Sequence, residues 1–332
     1  MSGAGKTIRI NLHLPRKWDA LTTKQMEIVA DCVLRAIRQS GPGQYNPLRV
    51  KTDIFLRLTG LKVVDVCPYG TSPEEAYFVA VQRPSSWYRK VASFFPGKRH
   101  NIPFRIYYWQ INQWMEECMN WIESPSGRTV FPYPRYRKKG KTLRGPSTLM
   151  QNFTWNQYRI VCDYMDYYVS ISNSYVTYAR RKDADPKILN RIEKKSKHAR
   201  NLLLASLFNE EVSISNNVTG RMEKDAPYQH GQAEKNSRYF SGFTDMQMQV
   251  VLFWWSGIMG YLKREYSRVF KEGSPSKQQQ VNPFKVYTRI IANLEKYLNG
   301  MNEKKINEEI YTAVLTHLND MMIEQERMEK RK

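Results

Sequence analysis

Three times in 332 residues the chain writes the same helix-start device: Leu21-Thr22-Thr23-Lys24-Gln25-Met26, Phe153-Thr154-Trp155-Asn156-Gln157-Tyr158 and Phe243-Thr244-Asp245-Met246-Gln247-Met248. The threonine hydroxyl can accept from the backbone N–H three residues on, the glutamine can reach back to the threonine N–H, and the flanking apolar pair can close over the turn. A chain punctuated in this way commits to three long helices with fixed beginnings. The device is scaffold and specifies no chemistry.

Hydrophobic periodicity supplies the remaining elements. Ile8, Ile10, Leu12 and Leu14 alternate with polar residues, as in a half-buried strand. Met26, Val29, Val33 and Ile37 form the stripe of a helix over 23–39, which Gly41-Pro42-Gly43 stops. A short helix over 48–58 has Ile54, Phe55 and Leu58 to bury and Gly60 at its end. Strands are expected over 61–67 and 76–82; the segment 104–123 begins strand-like and becomes a helix carrying Trp114, Cys118 and Trp121 or Ile122. These elements make an α+β unit over 1–125. Residues 126–150 form a basic arm in which Pro132, Pro134, Pro146, Gly140 and Gly145 forbid a regular helix. The helical domain, 151–272, contains helices over 155–180, 186–208 and 245–270, with a long polar loop over 209–242. In the third of these helices Val250, Val251, Phe253, Trp254 and Trp255 are apolar on nearly every side, which places it centrally. A linker, 273–282, leads to C-terminal helices over 283–299 and 303–329 in the segment 283–332. The expected fold class is α+β and predominantly α-helical, a small N-terminal α+β unit followed by a helical bundle, with strands confined to 1–125.

Charge is unevenly placed. Of a formal +21 at pH 7, +19 falls in residues 1–200 and +2 in 201–332. Residues 76–115 carry Arg83, Arg89, Lys90, Lys98, Arg99 and Arg105 without an acid, and 124–162 are again acid-free. A field of one sign over so much chain concentrates polyanions, of which nucleic acid is the obvious class. The densest patch is the arm, whose candidate polyanion ligands are Arg128, Arg135, Arg137, Lys138, Lys139, Lys141 and Arg144. Phe131, Tyr133 and Tyr136 interleave with them and are candidate stacking rings for a strand-tracking surface. The sequence leaves equally open a connector whose aromatics tuck onto the body. Tyr164, Tyr167 and Tyr168 cover more than one face of their helix and are candidates for a protein interface, because clustered aromatics favour binding hot spots.

Catalytic patterns are missing. Ser2-Gly3-Ala4-Gly5-Lys6-Thr7 lacks the first glycine and the preceding strand of a phosphate-binding loop. The histidines, His13, His100, His198, His230 and His317, stand singly, and Glu116-Glu117 and Glu308-Glu309 face different sides of a helix. Neither an enzyme nor a cofactor is expected. Cys32, Cys67, Cys118 and Cys162 have no framework spacing and read as reduced thiols of a cytosolic protein. The start of the chain lacks a signal-peptide core. The apolar run Val250–Leu262, broken by Ser256, Gly257 and Gly260, falls short of the ~20 residues of a spanning helix, so no membrane partner is expected.

Three groups of residues occur in a fixed order: Leu14-Pro15-x-x-Trp18-x-x-Leu21-Thr22-x-x-Gln25, Trp121-Ile122-x-x-Pro125, and Leu143-x-Gly145-Pro146-x-x-Leu149-x-x-Asn152-x-Thr154-Trp155-x-x-Tyr158. Over residues 8–175 this order resembles a family of prophage and mobile-element proteins of gut bacteria often found among virion or tail genes. The resemblance implies a tail or virion assembly factor without cofactor or active-site residues, although the large positive charge and helical C-terminal part depart from an assembly-chaperone pattern. The expectation is a non-enzymatic phage-type assembly or structural protein acting through contacts with other virion or tail proteins. The alternative is a basic, non-specific nucleic-acid-binding protein of a phage or mobile element. The expected location is the host cytoplasm, with virion association left open.

Overall fold

The computed structural model describes residues 14–40, 46–66, 77–82, 104–123, 126–181, 183–215, 222–270, 283–298 and 301–331. The chain divides into two units, Met1–Gly127 and Arg128–Lys332. The fold is predominantly α-helical α+β with small antiparallel sheets, as the periodicity predicts. The strand expected over Ile8–Leu14 lies, apart from Leu14, outside the described residues. So do the Gly41-Pro42-Gly43 stop, the cations from Arg83 to Arg99 and the linker 273–282.

In the first unit the Thr22–Gln25 cap is reciprocal. Gln25 Oε1 accepts from the Thr22 N–H at 2.9 Å and Thr22 Oγ1 from the Gln25 N–H at 3.3 Å, with Leu21 and Met26 buried beside them. Helix α1 (Thr23–Ser40) buries Met26, Val29, Ala30 and Cys32. Helix α2 (Pro47–Thr59) begins on Asn46, whose side chain accepts from the N–H of Leu48 and of Arg49. It ends at Gly60, where φ is 71°, a left-handed position that glycine adopts without steric cost. Trp18 and Trp121 meet edge to face at 4.9 Å; the Trp18 indole donates to the Trp121 carbonyl and the Trp121 indole to the Pro15 carbonyl. Next come strands β1 (Leu61–Val66), β2 (Tyr77–Gln82) and β3 (Phe104–Tyr107), antiparallel in that spatial order, then helix α3 (Tyr108–Cys118). Ala80 and Ile106 are buried on one face of this sheet. Alternation therefore puts Tyr77, Val79 and Val81 of β2 and Arg105 and Tyr107 of β3 on the other face.

The second unit opens with the hairpin β4 (Arg135–Lys138) and β5 (Lys141–Arg144), followed by the long helices α4 (Trp155–Ala179) and α5 (Pro186–Leu207). Strand β6 (Asn209–Glu210) adds to β5, and β7 (Val212–Ser215) pairs with β8 (Met222–Asp225). Helices α6 (Gln232–Asn236), α7 (Asp245–Glu265), α8 (Pro283–Tyr297), α9 (Glu303–Glu308) and α10 (Tyr311–Glu329) complete it. Trp254 of α7 is fully buried among Phe131, Phe208, Phe240 and Tyr311 in one core. The C-terminal helices are tied to the start of α4: the Trp155 N–H donates to the Glu309 carbonyl, the Tyr311 N–H to the Phe153 carbonyl, and the Tyr311 hydroxyl to the Leu149 carbonyl.

Several expectations are corrected here. Strands are not confined to 1–125, because the second unit holds β4 to β8. The described residues of the polar stretch 209–242 are not one long loop: they form β6, β7, β8 and α6 and send Tyr239 and Phe240 into the core. The helix expected over 303–329 breaks at Glu309-Ile310, where the backbone turns aside to pair with Phe153 and Trp155. The middle helix-start device is only half made. Thr154 caps the Gln157 N–H at 3.2 Å, but the Gln157 side chain is fully buried and points elsewhere, donating to the Ser206 carbonyl and to Asn209 Oδ1.

Candidate functional site

Residues 126–150 are not a free arm. Tyr136 pairs with Leu143 and Lys138 with Lys141 across a two-residue turn, Lys139-Gly140, in which both residues have positive φ, 50° and 77°. That turn twists in the same sense as the strands it joins, so the sequence Lys-Lys-Gly-Lys closes the hairpin without strain on its pleat. Leu143 is fully buried. The buried side of the hairpin is held by aromatics: Phe131 lies edge-on to Trp254 at 4.7 Å, Tyr133 edge-on to Phe243 at 5.3 Å, and Tyr136 stacks on Phe240 at 5.0 Å. The Tyr136 hydroxyl donates to the Tyr239 carbonyl, and burial pushes its pKa up.

Phe131, 3% exposed, is therefore corrected from a stacking ring to a core residue, while Tyr133 and Tyr136 are half-buried and pack against the core. Their apolar area is worth more against Phe208, Phe240 and Phe243 than in water. Arg128 is corrected too. It is 6% exposed, its guanidinium donates to the Val130 carbonyl, and its backbone lies against Gly257. Of the remaining candidates, Arg135 and Arg144 share Glu211 at 3.2 and 3.3 Å, and Lys141 pairs with Glu210 at 2.7 Å, a bond that raises the lysine pKa. Lys141 also lies over the Tyr239 ring at 5.8 Å, as does Arg238 at 5.3 Å. Arg137, Lys138 and Lys139 are exposed and form no ion pair with a described residue.

The hairpin is thus split in its charge pairing. Its base sets Arg135, Lys141 and Arg144 against only two carboxylates, Glu210 and Glu211, and Arg137, Lys138 and Lys139 at the end of β4 and in the turn are exposed. The two glutamates escape a sequence reading because they sit far along the chain and meet the hairpin only through the pairing of β5 with β6. A groove of about 830 Å³ runs beside the base, lined by Arg135, Arg144, Asp225, Tyr228 and Glu308, and so carries both signs of charge.

The expected tyrosine interface is also largely spent. The Tyr164 hydroxyl donates to Glu234 at 2.6 Å, a bond that holds the glutamate below its ordinary range; burial, more than this bond, pushes the tyrosine far up. Tyr168 is half-buried against the core, and only Tyr167, at 44%, remains well exposed. Among the described residues no cluster of His, Cys, Asp and Glu could hold a metal ion, and no helix is long and apolar enough to cross a membrane. No protein-family model, curated protein or solved structure matches the chain.

Proposed function

We propose that the protein is a non-catalytic binder of nucleic acid that takes the phosphate backbone on the tip of the β4–β5 hairpin. The observation that carries this reading is the division of the basic cluster: Arg135, Lys141 and Arg144 are paired with Glu210 and Glu211, whereas Arg137, Lys138 and Lys139 form no ion pair with a described residue. A cation held out on an ordered turn has its full charge available to displace condensed counterions, and such binding is blind to sequence and sensitive to salt. Replacing Arg137→Gln, Lys138→Gln and Lys139→Asn together keeps the turn, since asparagine accepts positive φ. Fluorescence anisotropy with a labelled oligonucleotide across a salt series should show weaker binding and a salt slope lower by about 2 on single strands, at ~0.7 per lost cation. Unchanged affinity and slope would sink the proposal.

The second reading, a phage-type assembly or structural protein acting through protein contacts, is favoured by Tyr167 and Val169, exposed at 44% and 40% on α4. Co-purification with tail or virion proteins that Tyr167→Ala abolishes would support it over the first.

A further inference from the structure

We infer that the outer face of the β1-β2-β3 sheet is a stacking platform for the bases of single-stranded nucleic acid, with Tyr77, Tyr107 and Trp109 as its rings and Arg105 as its cation. The inference takes its ligand class from the proposal above but rests on a different surface.

Strand alternation generates the platform. With Ala80 and Ile106 turned inward, the cross-strand pairs Tyr77–Tyr107 and Val79–Arg105 face outward in adjacent rows. The Tyr77 and Tyr107 rings touch edge to face at 6.0 Å, and the Arg105 guanidinium lies 4.7 Å over the Tyr77 ring. Trp109, in the first turn of α3, continues the row: its ring is 6.4 Å from that of Tyr107, within 22° of parallel, and 51% exposed. Tyr77 and Tyr107 are half-buried, so each shows part of its ring while its backbone is fixed by the ladder. Lys62 adds a cation at the β1 edge, opposite Val81. The acidic side chain on the described part of this face is Asp65, also on β1, opposite Val79.

Three rings gathered on the side away from the core, with a guanidinium among them, match what single strands require. Every base offers a π-face, aromatic side chains stack on it regardless of sequence, and arginine contributes both charge and cation–π contact. The sheet places these rings on a rigid lattice, the arrangement in which sheet surfaces receive two or three splayed bases. On the described part of this face Arg105 and Lys62 outnumber Asp65, so charge favours an anionic ligand, and the rings favour the bases of a nucleic acid over the side chains of an acidic peptide. A duplex hides its base faces and would gain nothing from the rings.

The test uses the full chain and two probes: a labelled oligothymidylate of about 15 nucleotides, near the upper site size of one such surface, and a duplex of equal length. Trp109→Ala and Tyr107→Ala should each weaken oligothymidylate binding about tenfold or more, with the salt slope and duplex affinity unchanged. Tyr107→Phe should restore binding, because the ring and not the hydroxyl stacks. The hairpin variant should instead lower the salt slope with both probes. Photocrosslinking of 5-bromouracil-substituted oligonucleotide to the unmodified protein keeps the test valid if Tyr107→Ala unfolds, and the crosslinks should map to peptides containing Tyr77, Tyr107 or Trp109. Crosslinks confined elsewhere, or Trp109→Ala binding single strands like the parent, overturn the platform and leave the hairpin reading intact. Duplex binding without single-strand binding does the same. Failure to bind either probe overturns both, and a partner protein retained by the Trp109 face without any nucleic-acid binding replaces the inference with a protein interface.

Discussion

A methyl group added at Gly257 would collide with the backbone of Arg128, whereas one added at Gly260, a turn further along α7, would meet nothing closer than the tip of Arg264 at 3.9 Å. The first glycine is there so that the chain can pass directly over the helix; the second has no such duty. Gly257→Ala should therefore cost roughly 3 kcal/mol by overpacking against backbone. Gly260→Ala should gain about 0.5–1 kcal/mol, because alanine loses less entropy in a helix. Chemical denaturation of the pair checks both signs at once. Cys162 gives a second prediction. Burial, reinforced by Asp166 and Asp163 and partly opposed by a hydrogen bond with Tyr158, pushes its pKa from 9.0 to about 12. Between these values the folded protein keeps a proton that the unfolded chain has released, so stability falls as pH rises from about 9 toward 12. Melting temperatures across that range should fall less steeply in Cys162→Ala than in the parent; equal slopes would show that the thiol is not part of the alkaline loss.

At the scale of elements, a buried amide network decides where α4, β6 and α6 meet. Gln157 donates to Asn209 Oδ1 at 3.0 Å and Gln232 donates to the same oxygen at 2.6 Å, while Asn209 Nδ2 donates to the Ala226 carbonyl at 3.0 Å. All three side chains are buried, so removing one leaves the others without water to turn to. Asn209→Ala should cost about 3 kcal/mol. The double variant with Gln157→Ala should cost less than the sum of the singles, since the two share bonds. Denaturant midpoints of the three proteins check this, and strict additivity would mean that the amides act independently. The same network marks the limit of what the sequence discloses. The cap of α7 and that of α1 were legible because Thr, Gln and the apolar pair lie within six residues; Gln157 carries the same local signal, yet a partner some fifty residues away claims its side chain. The hairpin shows the same limit. Its short strand Arg135-Tyr136-Arg137-Lys138 carries three charges and one ring, with too little apolar alternation to announce a strand. Only pairing with Glu210 and contact with Phe240 reveal which face is inside. The platform of the first unit was half legible: the acid-free run stands out, but the side on which Tyr77, Tyr107 and Trp109 emerge depends on the sheet register.

For the molecule as a whole, the buried core of the second unit, among the described residues, is built from Phe131 to Leu318, with Met321 packed against it. Residues 128–332 expressed alone should consequently unfold cooperatively and keep a near-ultraviolet signal from Trp254; a broad, featureless melt would contradict a self-sufficient core. That core has one further property, which concerns time. Leu149, Phe153 and Trp155 wait for Glu309 and Tyr311 to supply their backbone and hydroxyl partners. On a ribosome adding ~5–20 residues per second, Tyr311 is made on the order of ten seconds after Leu149. Throughout that interval α5 can already pack on α4, but the start of α4 lacks the backbone and hydroxyl partners that the C-terminal helices bring. The order of synthesis thus sets when the start of α4 gains its last partners, and a nascent chain keeps that site open until the C-terminal helices arrive.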